Sequence, residues 1–250
     1  MSHLLTVITV VKNDIRGIEK TIKSVLAQKK KIPFEYLVVD GASNDGTFEK
    51  IEKYRDQIDS IISKKDKGLY FALNNAIKIA KGYYIGILHS GDIYNNSNVI
   101  KRHEKLFIKK KFDLIYSNLN IVENKKIYRF YNSSYFKKEH LLIGWMPPHP
   151  TCFIKKKKII ESKFYDTNYK ISADFDLLLK IIYIKKASFI YLPIISILQS
   201  RRGLSDSGLS SKILIIKEII QSLKKNKLYI SFFFIFLRYF IKLKELIFKK

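Results

Sequence analysis

Residues 36–47 read Tyr36-Leu37-Val38-Val39-Asp40-Gly41-Ala42-Ser43-Asn44-Asp45-Gly46-Thr47. The apolar residues ending at a carboxylate and followed by Gly, Ser and Asn predict a short strand over 36–40 that runs into a turn. Asp45-Gly46-Thr47 fits a helix start, where Asp45 or Thr47 would satisfy free N–H groups. Upstream, residues 4–11 form another β-branched run. Lys12-Asn13-Asp14 breaks it, and Ile15, Ile18, Ile22, Val25 and Leu26 then follow at helical spacing. Downstream comes a weak strand near 59–63 and a helix over 69–80 that Gly82 is expected to close. A strand over 83–88 then stops at His89-Ser90-Gly91-Asp92. Strands alternating with helices predict an α/β domain built on a parallel sheet. Ligands of such sheets sit beyond the carboxyl ends of the strands, and Asp40 and Asp92 both end predicted strands.

The middle of the chain is less regular. An apolar run at 114–117 leads into residues 116–130, which read as a strand pair with a turn near Asn124. Pro147, Pro148 and Pro150 exclude helix from 144–150 and predict extended or turn geometry. Residues 171–184 hold Ala173-Asp174-Phe175-Asp176 and then Leu177, Leu178, Leu179, Ile181 and Ile182, an acidic start to a mostly buried helix.

The chain has 250 residues, with 47 Lys or Arg against 22 Asp or Glu, a net charge of +25 and a pI near 9.8. Its 47% hydrophobic content excludes a disordered basic tail. The length suits one large domain, alone or with a small appendage. The single Cys152 excludes an intrachain disulfide framework and a cysteine-rich zinc module, and a reducing compartment is expected. The N-terminus lacks a basic n-region and a small-residue cleavage site, so no signal peptide is expected. Residues 212–250 carry ten Lys or Arg and only two acids, Glu218 and Glu245. The uncharged apolar stretch at 228–237 is shorter than the roughly 20 residues a spanning helix needs. It is expected to lie in a membrane interface; the alternative is a helix docked on the core or on a second subunit.

Several carboxylates have two readings. Asp40 could accept hydrogen bonds from a nucleobase imide or ribose hydroxyls, or cap its own turn. Asp92 could hold a hard divalent cation, since Mg²⁺ and Mn²⁺ prefer oxygen ligands, or be a turn aspartate. Asp174 and Asp176, two residues apart, do not share a helix face. One is expected to face a cleft, where it could act as a general base, and the other solvent or a cap. His149, in the proline-locked segment, could bind metal or phosphate or simply pack.

In order, the apolar strand with Asn13, then VVDGASNDGT, then Asp66-Lys67-Gly68-Leu69-Tyr70 with Asn74, then HSGD, PPHP and ADFDLLLK resemble the motifs of the family 2 inverting glycosyltransferases. The resemblance runs over residues 4–208 and is nearest the bacterial polysaccharide and lipopolysaccharide assembly branch. It implies a GT-A fold: an α/β domain with a mixed, mostly parallel central sheet flanked by helices. Residues 1–100 would form the nucleotide-sugar half and 101–211 the acceptor half, with 212–250 as basic amphipathic helices touching an anionic membrane surface. It implies transfer of a sugar from a nucleoside diphosphate donor, most often a UDP-sugar, to a glycan or lipid-linked acceptor, with inversion. Asp40 matches the aspartate that contacts the base. Val11, Asn13, Asp66, Lys67 and Asn74 match further nucleotide-binding positions. Asp92 matches the metal-binding residue for Mn²⁺ or Mg²⁺, and His149 a position near the donor phosphates that could add a metal ligand. Asp174 matches the base that deprotonates the acceptor. The chain departs from the pattern at Ser90 and Gly91, which leave Asp92 as the motif's one carboxylate, at Ala173, where many relatives have Glu, and at Phe71, Asn75 and Ala76. The implied location is cytoplasmic, peripheral on the inner face of the membrane.

Two other readings compete. A nucleotidyltransferase would open with a glycine-rich, arginine-containing loop after the first strand, which Val11-Lys12-Asn13-Asp14-Ile15-Arg16-Gly17 is not. A nucleic-acid binder would account for the charge, but no recognised nucleic-acid motif is present and the carboxylates gather at strand ends. The charge is therefore read toward phosphate-bearing substrates and an anionic membrane, and away from nucleic acid.

Overall fold

β1 (Leu5–Val11) is buried along its whole length, because helices cover both faces of the sheet it centres; a strand buried on both sides reads as a continuous apolar run. The computed structural model describes residues 3–124, 126–201 and 208–228. After β1 come α1 (Ile18–Lys29), β2 (Glu35–Asp40), α2 (Thr47–Glu52), β3 (Ser60–Ser63), α3 (Leu69–Ile79), β4 (Tyr84–Ile87), β5 (Ile93–Tyr94) and α4 (Val99–Lys109). The second half adds β6 (Leu114–Glu123), β7 (Lys126–Tyr131), β8 (Phe153–Lys155), α5 (Lys156–Glu161), α6 (Ala173–Leu178), β9 (Phe189–Ser200) and α7 (Leu209–Lys225).

Among the described residues the strands form one nine-stranded sheet, ordered β3-β2-β1-β4-β8-β6-β9-β5, with β7 paired to β6. The half from β3 to β4 is parallel. Beyond it the sheet is mixed: β8 runs antiparallel to both β4 and β6, and β6 runs parallel to β9. Alternate side chains of β1 and β2 enter two cores. Ile8, Val10, Leu37 and Val39 pack with Leu73 and Ile77 of α3 and with residues of α6 and α7. Val7, Val11, Tyr36 and Val38 pack with Ile18, Ile22 and Val25 of α1 and Phe107 of α4.

Several expectations are met with small shifts in boundary. The hairpin turn falls at Asn124, whose φ of 49° is left-handed. Three differ. Gly82 does not close α3 by a left-handed cap. Its N–H donates to Thr6 Oγ1 at 2.8 Å, and a Cβ there would lie 2.2 Å from the Thr6 nitrogen, so close approach to β1 requires the glycine. The proline-rich segment ends in a single 3₁₀ turn, His149–Thr151; Pro150 enters near its start, where a backbone N–H has no intrahelical partner. β8 and β9 were not expected at all. β9 contains Pro193, which lies between the paired residues Tyr191 and Ile195, where the register with β6 shifts; an irregularity of this kind tolerates a residue without an N–H.

At the C-terminal end, the segment expected at a membrane surface begins inside α7, which docks on the core. Ile219 and Leu223 of α7 are buried and join the α6 cluster. This is the docked alternative for 212–225. Residues 229–250, with most of the apolar stretch, lie outside the described residues. Among the described residues no helix is long and apolar enough to cross a membrane.

Candidate active site

The carboxyl ends of β1, β2 and β3 are stitched together by side chains. Val11 is buried, and its carbonyl accepts the Gly41 N–H at 2.9 Å. Asn13, with φ of 51°, turns the chain. Its N–H donates to Ser43 Oγ at 2.8 Å and its amide oxygen accepts the Asn44 N–H at 3.0 Å. Asp40 is fully buried; one oxygen accepts Ser43 Oγ at 2.5 Å and the other Ser63 Oγ at 2.6 Å. Asp40 thus caps its own turn, at the end of β2. Asp66 accepts the Gly68 N–H at 2.8 Å. A Cβ on Gly41 would stand 3.3 Å from Asp66 Oδ2 and 3.2 Å from the Lys12 side chain, so Gly41 leaves an open floor between these two charged groups. Lys67 is exposed on the same loop. As expected, Asp45 serves the helix start, accepting the Thr47 N–H at 3.0 Å and the Ile15 N–H at 3.1 Å. Asn74 is set apart: its amide pairs with both backbone groups of Tyr165, at 2.9 and 3.0 Å.

The loop after β4 carries the second set. Ser90 Oγ donates to Asp14 Oδ2 at 2.6 Å, and Asp14 Oδ1 accepts the Gly17 N–H at 3.0 Å. Gly17 packs so tightly here that a Cβ would lie 2.9 Å from the Gly91 Cα. Asp92 is 5% exposed. It accepts the Ser200 N–H at 3.0 Å from the end of β9. Burial pushes its carboxyl up to about 7, and the negative charge of Asp14 adds to the rise. Among the described residues no trio of His, Cys, Asp and Glu forms a closed metal cage. A buried carboxylate with an acidic neighbour and, among the described residues, no ion pair does fit a cation held jointly with substrate phosphates, the usual arrangement for Mg²⁺.

The third set comes from the second half. Asp174 is the second residue of α6. It is partly buried, and its Oδ1 accepts the neighbouring Phe175 N–H at 2.8 Å. Burial raises its carboxyl to about 6, into the range where a carboxylate can take a proton near neutral pH. Tyr70, Tyr165 and Cys152 surround it electrostatically. Tyr70 and Tyr165 stack with ring centres 5.7 Å apart. The Tyr165 hydroxyl and His149 Nε2 share a hydrogen bond of 2.7 Å. Burial lowers His149 to about 3, with His89 contributing, and lowers His89 to about 4, so both rings are neutral at working pH. Asp176 is neither in solvent nor a cap, contrary to expectation. It is 1% exposed and binds Ser222 Oγ at 2.7 Å and Lys180 Nζ at 2.9 Å, joining α6 to α7.

Sequence reasoning missed Lys12, Asp14, His89, Tyr165 and Glu218. Asp14 stood in plain view in the break after β1, and His89 in the HSGD stretch. Glu218 had one weak signal, an acid in a basic segment. Its carboxylate accepts the N–H groups of Lys170, Ile171 and Ser172.

Comparison with known proteins bears on this geometry. The family model described as Glycosyl transferase family 2 matches residues 6–167. An uncharacterized glycosyltransferase of Mycobacterium tuberculosis is 33% identical over 96 residues, 38% of this chain and 37% of its own. The Escherichia coli UDP-Glc:alpha-D-GlcNAc-diphosphoundecaprenol beta-1,3-glucosyltransferase WfgD is 31% identical over 126 residues, 50% of this chain and 49% of its own. The chain thus spans half or less of these two relatives. The crystal structure of S. aureus TarS 1-349 with UDP-GlcNAc superposes with a TM-score of 0.70 at 19% identity, covering 88% of this chain and 66% of that one. The mannosyltransferase PcManGT of Pyrobaculum calidifontis with GDP-Man and Mn²⁺ gives 0.64 at 16% identity, covering 90% and 64%. These two likenesses show the fold, which is the GT-A arrangement expected from the motifs.

Proposed function

The chain belongs to glycosyl transferase family 2, and on that premise we propose that it moves a sugar from a nucleoside diphosphate donor, a UDP-sugar first, to a hydroxyl of a glycan or lipid-linked acceptor in cell-surface polysaccharide assembly. The nucleotidyltransferase reading gives way to the family match. The name of WfgD, a UDP-glucose-dependent enzyme acting on a diphosphoundecaprenol-linked sugar, and the UDP-GlcNAc bound by TarS support the choice of donor and acceptor class.

The observation that carries the reading is Asp174: a partly buried carboxyl at the start of α6, without a cationic partner among the described residues and with its proton affinity raised to about 6. In this role Asp174 accepts the proton of the acceptor hydroxyl as its oxygen attacks the anomeric carbon. Attack opposite the departing diphosphate inverts that carbon. Asp40, Asn13 and Asp66 would hold the base and ribose, and Val11 and Gly41 would form the floor. Lys67, Asn74, and Lys12 are further contacts to test. Asp92, with His149 nearer the phosphates, would hold Mn²⁺ or Mg²⁺, which when bound offsets the charge developing on the leaving diphosphate. Residues 1–100 serve the donor and 101–211 the acceptor in this reading. The basic residues beyond 228 keep the enzyme on the inner membrane face, a role supported by their charge and apolar content.

The test is UDP release over a panel of nucleotide sugars with Mn²⁺ or Mg²⁺, with and without membrane extract. Release from one UDP-sugar, stimulated by the lipid fraction, is the expected result. Inactivity across the panel in the presence of the lipid fraction would overturn the proposed reaction.

A further inference from the structure

Glu218 is an acid within a basic segment, and it is buried. One of its oxygens accepts the Lys170 N–H at 2.7 Å; the other accepts the N–H groups of Ile171 at 3.0 Å and Ser172 at 2.8 Å. These three groups lead directly into α6. Ser172 occupies the N-cap position but makes no side-chain cap bond, and the carboxylate from α7 satisfies the N–H groups of Ser172 and of the two residues before it, which lie ahead of the first turn and have no intrahelical partner. The opposite side of the same segment is also held, since the Tyr70 hydroxyl donates to the Ile171 carbonyl. Four residues further along α7, Ser222 binds Asp176. One helix therefore holds the backbone before Asp174 and the side chain of Asp176 after it.

Resting on the proposed function above, we propose that Glu218 is a positioning residue: from α7 it fixes the 170–172 backbone and so the place of the Asp174 carboxyl in the cleft. α7 then belongs to the working enzyme as well as to its core. Charge points the same way. Among the described residues the titratable groups coupled to Asp174 are Tyr70 from α3, Tyr165 from the segment after α5, Cys152 just before β8 and Glu218 from α7. Burial keeps the two phenols and the thiol neutral. Among the described residues Glu218 is the formal charge that Asp174 feels, and it adds to the rise caused by burial.

The test compares Glu218→Gln, Glu218→Asp and the wild type by two readouts. One is a ¹³C NMR titration of aspartate carboxyls in the enzyme alone, with the Asp174 signal assigned from Asp174→Asn. The other is kcat for UDP release set against UDP affinity by calorimetry. Glu218→Gln is expected to lower the Asp174 titration midpoint and cut kcat by about tenfold or more while UDP affinity stays within about twofold. Glu218→Asp, which keeps the charge, is expected to keep the midpoint near that of the wild type. In an Asp174→Asn background, Glu218→Gln is expected to cost nothing more. An unchanged Asp174 midpoint and kcat in Glu218→Gln, whatever its melting temperature, would overturn the inference, as would a parallel loss of UDP binding. If Asp174→Asn itself turned over normally, the base assignment would fail instead, and the two failures are told apart.

Discussion

The Ser90 hydroxyl donates to Asp14 Oδ2 at 2.6 Å across 76 residues of chain, tying the exit of β1 to the loop that carries Asp92. Asp14 also accepts the Gly17 N–H at 3.0 Å, so one carboxylate starts α1 and fixes the position of the loop after β4. Asp14→Ala is expected to lower stability by about 1–3 kcal/mol, because it leaves both the Gly17 N–H and the Ser90 hydroxyl without their acceptor. UDP affinity is expected to weaken as well. Urea melts and calorimetry check the two effects; a stability loss with unchanged UDP binding would limit Asp14 to the fold.

Asp174 sets the expected pH dependence of transfer. With its carboxyl raised to about 6, the proton-accepting form is lost as pH falls through 6, and kcat falls with it. Asp174→Asn cannot accept the proton at any pH. It is expected to lose transfer while retaining UDP binding. A pH–rate profile of the wild type and calorimetry of the variant measure both.

The same group has a stability consequence of opposite sign. Its ordinary value is 3.8 and its folded value about 6, so between these the folded state binds a proton that the unfolded state does not. Stability therefore falls as pH rises through that window. Asp174→Asn is expected to be more stable than the wild type above pH 6, by up to roughly 3 kcal/mol. The gain should vanish below pH 4. Thermal melts from pH 4 to 8 give the curve, and a variant less stable than the wild type at pH 8 would contradict it.

Asp92→Ala is expected to abolish the part of UDP binding that depends on Mn²⁺ or Mg²⁺. Titration of UDP with and without the metal isolates that part. Equal metal dependence in the variant and the wild type would remove Asp92 from the site.

Asn74 pairs with the N–H and C=O of Tyr165, a residue that is itself buried. Asn74→Ala leaves both backbone groups without partners, at an expected cost of about 1–3 kcal/mol. If that is its main role, UDP affinity is unchanged in the folded variant. A large loss of UDP affinity at undiminished stability would return Asn74 to the nucleotide site.

Most elements of the first hundred residues were legible because they carry their own signal; β5, two residues long, was not. β1 and β2 are β-branched runs ended by Asn13 and Gly41, and α1 shows helical spacing. β8 and β9 were not legible. Three residues, Phe153–Lys155, are too few to show a period, and Pro193 interrupts β9 where its register with β6 shifts. Both strands exist because neighbours distant in sequence offer them hydrogen bonds. The same division applies to the proposed site: Asp40, Asp92 and Asp174 could be picked out by motif, while Asp14 and Glu218 meet their hydrogen-bond partners only across tens of residues.

Sequence alone determined the family, the strand-end placement of Asp40 and Asp92, and the small set of carboxylates on which the chemistry could rest. Tertiary structure alone decided how those carboxylates divide. Asp176 is tied to Ser222 and Lys180 and Asp40 to Ser43 and Ser63, whereas Asp174 is partly buried and takes the Phe175 N–H on Oδ1 with no ion pair among the described residues. Two aspartates separated by one residue thus end in opposite states. Proton affinity depends on burial and on nearby charges and donors, and here those come from α3, α7 and the segment before α6, which only folding brings together.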